Sequence, residues 1–451
     1  MLKRTFIADL TPCEVVNLRG FVDTLRLQKS IQFIVIRDET GKVQVTVYRP
    51  ELPEIAKIFD EITPESTVSI TGKCVSAPNV KLGGIEIIPT KVEILSVAKL
   101  MPIDKDSGTE LQLDYRWLDL RDRRKTAYFK LMTGINQIIR EWFVNNGFIE
   151  CLTPKLTAFS TEGGAEVFKV DYFDTKAFLT QSPQLFKQMA MAAGFGKFFE
   201  IGACYRAEKS FTSRHATEFF ALDAELAFID DENDIMDAEE NMLLWTLQET
   251  EKRYGKIFAD ELGMEFTAQK NKFPRVTLLD AYKLLETEKG YLVPKASKGD
   301  LDPDGERLLC EIAKEKYGSD FIWITQFPAA ARAFYTKRYD NNPDTAETKA
   351  NGDTKRKDNT KLSHGFDLLF RGVEITSGAV REENPERLKE NMRSKGINPD
   401  DMQFYTQFFE YGVPPHGGFA MGLARFYAKL FNTPSVKDTT FLFRGPTRLA
   451  P

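Results

Sequence analysis

Residues 205–225 read YRAEKSFTSRHATEFFALDAE and combine many charged side chains with two adjacent phenylalanines. The apolar runs FFEIGACY and EFFALDAELAFI flank a polar segment, KSFTSRHAT. This arrangement predicts a β-hairpin with a long loop. A solvated surface would not need the aromatic rings, and a core would not tolerate the charges unpaired. A polyanion site with an aromatic wall would use both.

Four side chains of this hairpin suit a nucleotide. Arg206 and His215 can approach phosphate oxygens, the arginine in bidentate fashion. Phe219 offers a flat face to a purine ring, and Glu208 can accept a hydrogen bond from an exocyclic amine. The alternative is a charged hairpin with salt bridges across its face.

A second hairpin is predicted in SHGFDLLFRGVEITSGAVREE, with its turn at the central Arg-Gly pair. This turn would place Asp367 and Glu374 on neighbouring strands. With the Ser377 hydroxyl they form an oxygen-rich set suited to Mg²⁺. Arg381 follows and is available for a carboxylate. The alternative is a solvated acidic edge.

A third segment, PPHGGFAMGLARFYAKLF, is rich in glycine. We predict a turn in which Gly417, Gly418 and Gly422 let the backbone approach a ligand closely. The apolar-periodic run that follows predicts a helix, which would present its N-terminus and Arg425 to a phosphate. Glycine-rich turns also occur without a ligand.

A fourth segment, QSPQLFKQMAM, places Gln184 and Lys187 one helical turn apart and hence on one face. Together they could hold an amide or a carboxylate. The alternative is an ordinary amphipathic helix.

Length and composition limit the class of protein. With 451 residues, the chain exceeds one typical hydrophobic core, so we predict at least two domains. A net charge of −5 confines any polyanion site to a local basic patch. The five scattered cysteines favour a reducing cytoplasm over a disulfide framework or a zinc site. We find no long apolar run and no secretory leader, so we expect no membrane partner.

Residues 1–99 predict a small β domain. Five short runs rich in Val, Ile, Phe and Thr, separated by turn signals, surround one helical insert, PELPEIAKIFDEI. This pattern suits a closed barrel of the OB type. Another small β fold is the alternative.

The rest of the chain predicts a large α+β domain. We expect a linker or hinge over residues 100–122 and the domain itself over residues 123–451. Its first helix is RRKTAYFKLMTGINQIIREWFVNNGF, which has apolar residues at helical spacing and stops at Asn-Gly. Residues 341–361 are polar and rich in lysine, and we predict a mobile surface insertion there.

In this order the segments resemble the motifs of class II aminoacyl-tRNA synthetases. GFIECLTPKL, with Pro154, resembles motif 1, the dimer-interface element; YRAE and RHATEF resemble motif 2; GGFAMGLAR resembles motif 3. The chain is similar to the archaeal and eukaryotic aspartyl-tRNA synthetases, in the subclass that also holds the asparaginyl and lysyl enzymes. The resemblance implies an OB-type barrel, then a catalytic domain with a mainly antiparallel sheet flanked by helices, in a homodimer.

The resemblance also implies roles for matching residues of the catalytic domain. ATP would be bound by Arg206, Glu208, Arg214, His215, Phe219, Glu374, Gly422 and Arg425, with Arg206, Glu374 and Arg425 acting in catalysis. Mg²⁺ would be organised by Asp367, Glu374 and Ser377. L-Aspartate would be held by Thr161, Glu162, Gln184, Lys187, Asp223, Ser377 and Arg381.

In the barrel, the resemblance implies that Arg26, Phe33 and Gln44 read the anticodon. Phe33 would stack on a splayed base, which is how single-stranded RNA is usually bound. The implied partner is tRNA-Asp, and tRNA-Asn stays open as a second acceptor.

The implied activity forms aspartyl-adenylate from ATP and L-aspartate and transfers the aspartyl group to tRNA. Lys187 and Arg381 favour aspartate, because an amide would leave Lys187 without a counter-charge. The alternatives are an asparagine-charging relative, a non-catalytic RNA-binding paralogue and a free-standing adenylating enzyme. Val380 and Glu382, beside Arg381, depart from the family pattern.

Overall fold

The structure is a computed structural model that describes residues 3–159, 166–340 and 361–451. The chain divides into two compact units, Met1–Ser107 and Gly108–Pro451. The insertion predicted at residues 341–361 lies outside the described residues except for its last position. Thr161 and Glu162, predicted to bind aspartate, also lie outside them.

The first unit is a five-stranded barrel. Its strands are β1 Val15–Leu27, β2 Ile31–Arg37, β3 Lys42–Tyr48, β4 Thr67–Ser76 and β5 Ile85–Ser96. The barrel closes in the order β1-β2-β3-β5-β4. Alternate residues such as Val43, Val45 and Val47 point inward and are fully buried. Helix α1, Pro53–Asp60, starts with a proline, which needs no backbone donor there. The predicted barrel with its helical insert is confirmed.

The second unit is built on an eight-stranded sheet and a smaller three-stranded sheet. Its strands are β6 Ile149–Glu150, β7 Leu156–Thr157, β8 Lys169–Tyr172, β9 Thr175–Leu179, β10 Lys197–Tyr205, β11 Glu218–Ala227, β12 Arg275–Thr277, β13 Phe321–Thr325, β14 Gly365–Phe370, β15 Val373–Val380 and β16 His416–Gly422. The large sheet has the order β12-β13-β14-β15-β16-β11-β10-β6, and the small one β7-β9-β8. In the large sheet β12 with β13 and β10 with β6 are parallel, and the other pairs are antiparallel. The predicted mainly antiparallel sheet is confirmed.

Helices flank this sheet. They are α2 Thr109–Asp114, α3 Arg116–Asp119, α4 Arg123–Asn145, α5 Gln184–Ala192, α6 Glu232–Leu262, α7 Leu278–Lys289, α8 Pro303–Tyr317, α9 Pro385–Ser394, α10 Gln403–Thr406 and α11 Leu423–Leu430. The predicted helix α4 begins after Asp122, whose carboxylate accepts from two backbone N–H groups of the first turn. Helix α4 packs against α6, and α6 packs against β15 and β16. Within the described residues, no helix has the length and apolar character that a membrane span needs.

Both predicted hairpins are present. Strands β10 and β11 pair antiparallel with Tyr205 opposite Glu218, so the polar loop lies between them. Strands β14 and β15 turn at Arg371 and Gly372, both of which have positive φ. In the second hairpin Asp367 lies opposite Ser377.

The turn predicted at Gly417, Gly418 and Gly422 is wrong, because these glycines lie in a strand. Residues His416–Gly422 form β16, which lies between β11 and β15 in the sheet. Gly418 is needed there because a Cβ atom would lie 2.0 Å from the carbonyl oxygen of Ala224. The helix predicted after this segment is α11.

The predicted linker also differs from the structure. Residues 108–122 belong to the second unit and contain α2 and α3. Arg116 is buried, pairs with Asp119 and donates to backbone carbonyls at residues 437, 438, 440 and 441. A sequence pattern does not reveal this anchor, because its acceptors are main-chain atoms some 320 residues away.

A carboxyl group lies in the core between α6 and the sheet. Glu239 is fully buried, and its Oε1 accepts from the Thr376 hydroxyl at 2.6 Å. Burial raises the pKa of Glu239 to about 8, although Thr376 and Lys187 favour the charged form. The folded chain therefore holds this proton more tightly than the unfolded chain.

We predict that Glu239→Gln becomes more stable relative to the parent protein as the pH rises. As the pH rises from about 5 to about 8, the unfolded parent releases this proton while the folded parent keeps it, which favours unfolding. The amide has no proton to release, so the difference should grow by about 2–4 kcal/mol in the variant's favour. Urea unfolding at several pH values measures this. Exposed Glu286→Gln is the control for the charge change, and a pH-independent difference for Glu239→Gln would contradict the prediction.

Candidate active site

A cleft of about 370 Å³ opens over the centre of the large sheet. It is lined by most of the site residues predicted for this unit, namely Gln184, Lys187, Arg206, Glu208, Arg214, His215, Phe219, Asp223, Glu374, Ser377, Arg381, Gly422 and Arg425. Asp367 lies beneath the cleft rather than on its surface. The sheet therefore brings together segments that are up to 240 residues apart.

One end of the cleft is rich in arginine and has an aromatic face. The Arg206 guanidinium lies 5.4 Å from the centre of the Phe219 ring and 4.0 Å from the Glu208 carboxylate. Arg425 donates to the Glu374 carbonyl at 3.0 Å and lies 3.4 Å from His215 Nε2. Burial, and then the Arg425 charge, lower the pKa of His215. This end presents cations beside a flat ring and a neutral imidazole.

Arg214 at this end already has a partner. Its guanidinium forms a 2.8 Å ion pair with Glu306 on α8. The same Glu306 carboxylate accepts from the Glu374 backbone N–H at 3.2 Å. Glu306 was missed in the sequence because a single acidic residue in an amphipathic helix gives no signal.

The other end of the cleft rests on buried charges. Lys187 Nζ lies 2.9 Å from Asp223 and 3.5 Å from Glu225, and it donates to the Phe419 carbonyl at 3.0 Å. Arg381 makes a two-point contact with Glu225 at 2.9 and 3.2 Å. All four charged side chains are at most 4% exposed. Both predicted cations are thus paired, and Glu225, for which the sequence suggested no role, contacts both of them.

Burial acts differently on the two carboxylates. It raises the pKa of Asp223, because Lys187 offsets only part of the desolvation. Burial opposes ionisation of Glu225 as well, but Arg381 and Lys187 outweigh it and lower the pKa. Glu225 is therefore the fixed negative charge of this end.

The predicted magnesium set is only partly available. Arg332, on the segment after β13, makes two hydrogen bonds of 3.0 and 2.6 Å to Asp367 and a third of 3.1 Å to Ser377. A cation thus already occupies the oxygens of both residues. Within the described residues, no group of three His, Cys, Asp or Glu side chains is arranged for a metal ion. Binding of Mg²⁺ by Asp367 and Ser377 stays a prediction, and in this structure the ion would compete with Arg332. The sequence did not indicate this contact, because Arg332 is 35 residues from Asp367.

Glu374 is one of the acidic residues that line the cleft. Burial and the neighbouring Asp367 raise its pKa to about 7, against the opposing charges of Arg425 and Arg332. Arg332 pairs with Asp367, and Arg425 Nη1 lies 3.8 Å from the Glu374 carboxylate, so arginines offset the negative charges here.

The two departures from the family pattern lie outside the cleft lining. Val380 packs in the main core of the second unit. Glu382 is buried, and its carboxylate accepts from the Asn384 backbone N–H at 3.2 Å. Only Arg381, between them, reaches the cleft.

The predicted anticodon residues share the outer face of the barrel. Arg26 lies opposite Phe33 in the β1–β2 ladder. Gln44 alternates with the inward Val43 and Val45 and donates to Glu86 at 3.1 Å. The face therefore offers a cation, an aromatic ring and a polar group.

Comparison with known proteins decides the family. Residues 108–444 match the family described as tRNA synthetases class II (D, K and N), and residues 16–95 match the OB-fold nucleic acid binding domain. This chain belongs to the class II tRNA synthetases.

The similar proteins are named for aspartate in some cases and for asparagine in others. The synthetase is 37% identical to the Aspartate--tRNA(Asp) ligase of Pyrococcus abyssi and 36% identical to the Aspartate--tRNA(Asp/Asn) ligase of Aeropyrum pernix, with 100% of both chains covered each time. A structure of asparaginyl-tRNA synthetase from Pyrococcus horikoshii complexed with asparaginyl-adenylate has a TM-score of 0.87 at 30% identity, covering 100% of both chains. Aspartyl tRNA synthetase from Entamoeba histolytica has a TM-score of 0.82 at 28% identity, covering 100% of this chain and 93% of that chain.

Gly418 of the synthetase gives a direct test of the buried charge cluster. A Cβ atom there would lie 2.2 Å from the Glu225 carboxylate as well as 2.0 Å from the Ala224 carbonyl. We predict that Gly418→Ala lowers the free energy of unfolding by about 1–3 kcal/mol or more. The matched control is Gly422→Ala in the same strand, where the nearest atom is 3.8 Å away. Equal stability of the two variants in urea unfolding would contradict the packing argument.

Proposed function

We propose that the chain is an aspartate–tRNA ligase, which joins L-aspartate to ATP as aspartyl-adenylate and transfers the aspartyl group to the 3′ end of tRNA. One observation carries the proposal: a single cleft has an arginine-rich aromatic end and a buried end with two cations. The family assignment and the full-length aspartate-named relatives support it.

The arginine-rich end suits ATP. We infer that Phe219 stacks on adenine and that Glu208 accepts from its amino group. Arg206 and Arg425 would then bind the phosphates, with the neutral His215 beside them. The substrate α-carboxylate attacks the α-phosphorus and pyrophosphate leaves, so the chain needs no nucleophile of its own. Its contribution is positioning and stabilisation of developing charge.

The buried end suits the side chain of L-aspartate. Within the described residues, Arg381 Nη1 makes no hydrogen bond, whereas Nε and Nη2 are bound to Glu225. Nη1 can therefore donate to a substrate carboxylate, with Lys187 as the second cation. Gln184 and Asp223 would take the α-ammonium group. L-Asparagine would lose the charge-assisted hydrogen bond, because an amide carries no negative charge.

We propose Glu374 as the protein ligand of Mg²⁺, since its carboxylate lines the cleft and the oxygens of Asp367 and Ser377 are bound to Arg332. When bound, the ion would neutralise phosphate charge. Asp367 would then act by holding Arg332 at the edge of the cleft.

For tRNA, we propose that the outer face of the barrel reads the anticodon through Arg26, Phe33 and Gln44. We also propose tRNA-Asn as a second acceptor, since one full-length relative is named Aspartate--tRNA(Asp/Asn) ligase. Charging of tRNA-Asp and tRNA-Asn transcripts, each with its anticodon altered in turn, measures both points. Charging that ignores the anticodon would contradict the barrel assignment.

We propose a homodimer formed near Pro154. Exposed apolar side chains surround this proline, with Leu152 78%, Ile149 44% and Leu156 46% exposed. Strand β6 is also the edge of the large sheet. Apolar patches and open edges are typical of subunit contacts. A mass of one chain, about 51 kDa, in light scattering would contradict this proposal.

We propose a cytoplasmic location. All five cysteines are unpaired, which fits a reducing compartment. The proposed substrates, ATP and tRNA, are found there. Cell fractionation that recovers the protein outside the cytoplasm would contradict the proposal.

ATP–pyrophosphate exchange tests the proposed reaction. We predict exchange with L-aspartate at least about 100-fold more efficient than with L-asparagine. Arg206→Ala should lower kcat about 100- to 1000-fold, because it removes a cation from the phosphates. Lys209→Ala is the matched control, since Lys209 is an exposed cation of the same loop outside the cleft. A preference for L-asparagine would reject the substrate assignment, and no exchange would reject the enzyme.

The raised pKa of Glu374 predicts how Mg²⁺ depends on pH. Below about pH 7 this carboxyl group is protonated, so protons compete with the ion and more Mg²⁺ is needed for ATP binding. In Glu374→Gln the Mg²⁺ requirement should be higher above pH 7 and depend less on pH. Calorimetric titrations with ATP at fixed Mg²⁺ concentrations measure this requirement. Protonation of ATP itself affects both proteins equally and therefore cancels in the comparison. Identical pH profiles would contradict the ligand assignment.

A further inference from the structure

A chain of buried hydrogen bonds leads to the amino-acid end of the cleft. His416 Nδ1 lies 2.8 Å from the Pro414 carbonyl oxygen, and His416 Nε2 lies 2.9 Å from Gln188 Nε2. Gln188 Oε1 accepts from the Tyr405 hydroxyl at 2.9 Å and from Gln184 Nε2 at 3.1 Å. The four side chains are at most 4% exposed, and among them only Gln184 lines the cleft.

The direction of each hydrogen bond follows from the first acceptor. The Pro414 carbonyl can only accept, so His416 Nδ1 must carry a proton. Burial lowers the pKa of His416 despite the nearby Glu225 carboxylate, so the ring is neutral and its Nε2 accepts. Gln188 must then turn its NH₂ group toward His416 and its oxygen toward Gln184.

The last member of the chain is therefore oriented as well. Gln184 can satisfy Gln188 Oε1 only by donating from its own NH₂ group. Its Oε1 makes no hydrogen bond within the described residues, and Gln184 lines the cleft, so this oxygen is available to a ligand there. The reversed amide would set two carbonyl oxygens against each other.

We propose that Gln188 is a positioning residue, which fixes the amide of Gln184 so that an oxygen, and not an NH₂ group, faces the amino acid. This inference rests on the proposed function, because it deepens the recognition of L-aspartate. An oxygen accepts from the α-ammonium group, whereas an NH₂ group would point donors at a cation. Gln188 acts without touching the substrate.

The test uses Gln188→Met, which keeps the length of the side chain and removes its acceptor oxygen. The freed Gln184 amide can then rotate, so we expect the KM for L-aspartate in pyrophosphate exchange to rise about five- to tenfold. The KM for ATP should stay unchanged. Leu185→Met is the matched control, because Leu185 is equally buried on α5 and makes no polar side-chain contact.

Two further variants separate positioning from stability. Gln188→Glu keeps an oxygen toward Gln184 and Tyr405, so the KM for L-aspartate should return to within about twofold of the parent even though the buried charge lowers Tm. In a Gln184→Ala background, Gln188→Met should no longer raise this KM, because the amide through which it acts is gone.

The affinity for L-aspartate is also measured by calorimetry, which needs no turnover, in addition to the KM values. If the parent protein binds L-aspartate but shows no pyrophosphate exchange, the proposed function is rejected. The change in calorimetric affinity caused by Gln188→Met then decides the inference. A parent protein that binds no L-aspartate would overturn both. The inference is also overturned if Gln188→Met leaves the affinity and KM unchanged, raises the KM for ATP equally, or has the same effect in the Gln184→Ala background.

Discussion

Two cations and two carboxylates meet at the floor of the cleft, almost fully buried, and their pairing constrains the centre of the sheet. Lys187 on α5, Asp223 and Glu225 on β11, and Arg381 after β15 are held within 3.5 Å of one another in turn. Removing one member of such a cluster leaves a buried charge uncompensated and typically costs about 3–5 kcal/mol. Strand β16 completes the arrangement, because its carbonyls accept from both cations and Gly418 leaves room for Glu225.

The same pairing determines how the cleft can select an amino acid. Because the protein's own carboxylates neutralise both cations, a surplus of positive charge does not attract the substrate. Selection must instead come from a group left unsatisfied at a fixed position, such as Arg381 Nη1. The oxygen of Gln184 would hold the α-ammonium group, which all amino acids share. The paired charged side chains around such groups keep them in place before the substrate arrives. Efficient catalysis by positioning requires this pre-organisation.

Much of the fold was predictable because it depends on local pattern. Alternating Val and Ile residues define the barrel strands, and a 3.6-residue period defines α4. The lining of the cleft was predicted through the resemblance to class II synthetases, because YRAE, RHATEF and GGFAMGLAR match motifs of that family. The failures share one physical cause: they depend on tertiary partners. Arg332 and Glu306 bind predicted site residues from segments without a motif, and the glycines of β16 serve a crowded strand rather than a turn.

The most direct test of this account is a crystal structure of the chain with a non-hydrolysable aspartyl-adenylate analogue. The account predicts that the side-chain carboxylate contacts Arg381 Nη1 and Lys187, while Arg381 keeps its two-point contact with Glu225. The adenine should lie on Phe219. A carboxylate bound elsewhere, or an Arg381 that leaves Glu225 to reach the ligand, would contradict the claim that a fully paired charge cluster forms the floor of the amino-acid site.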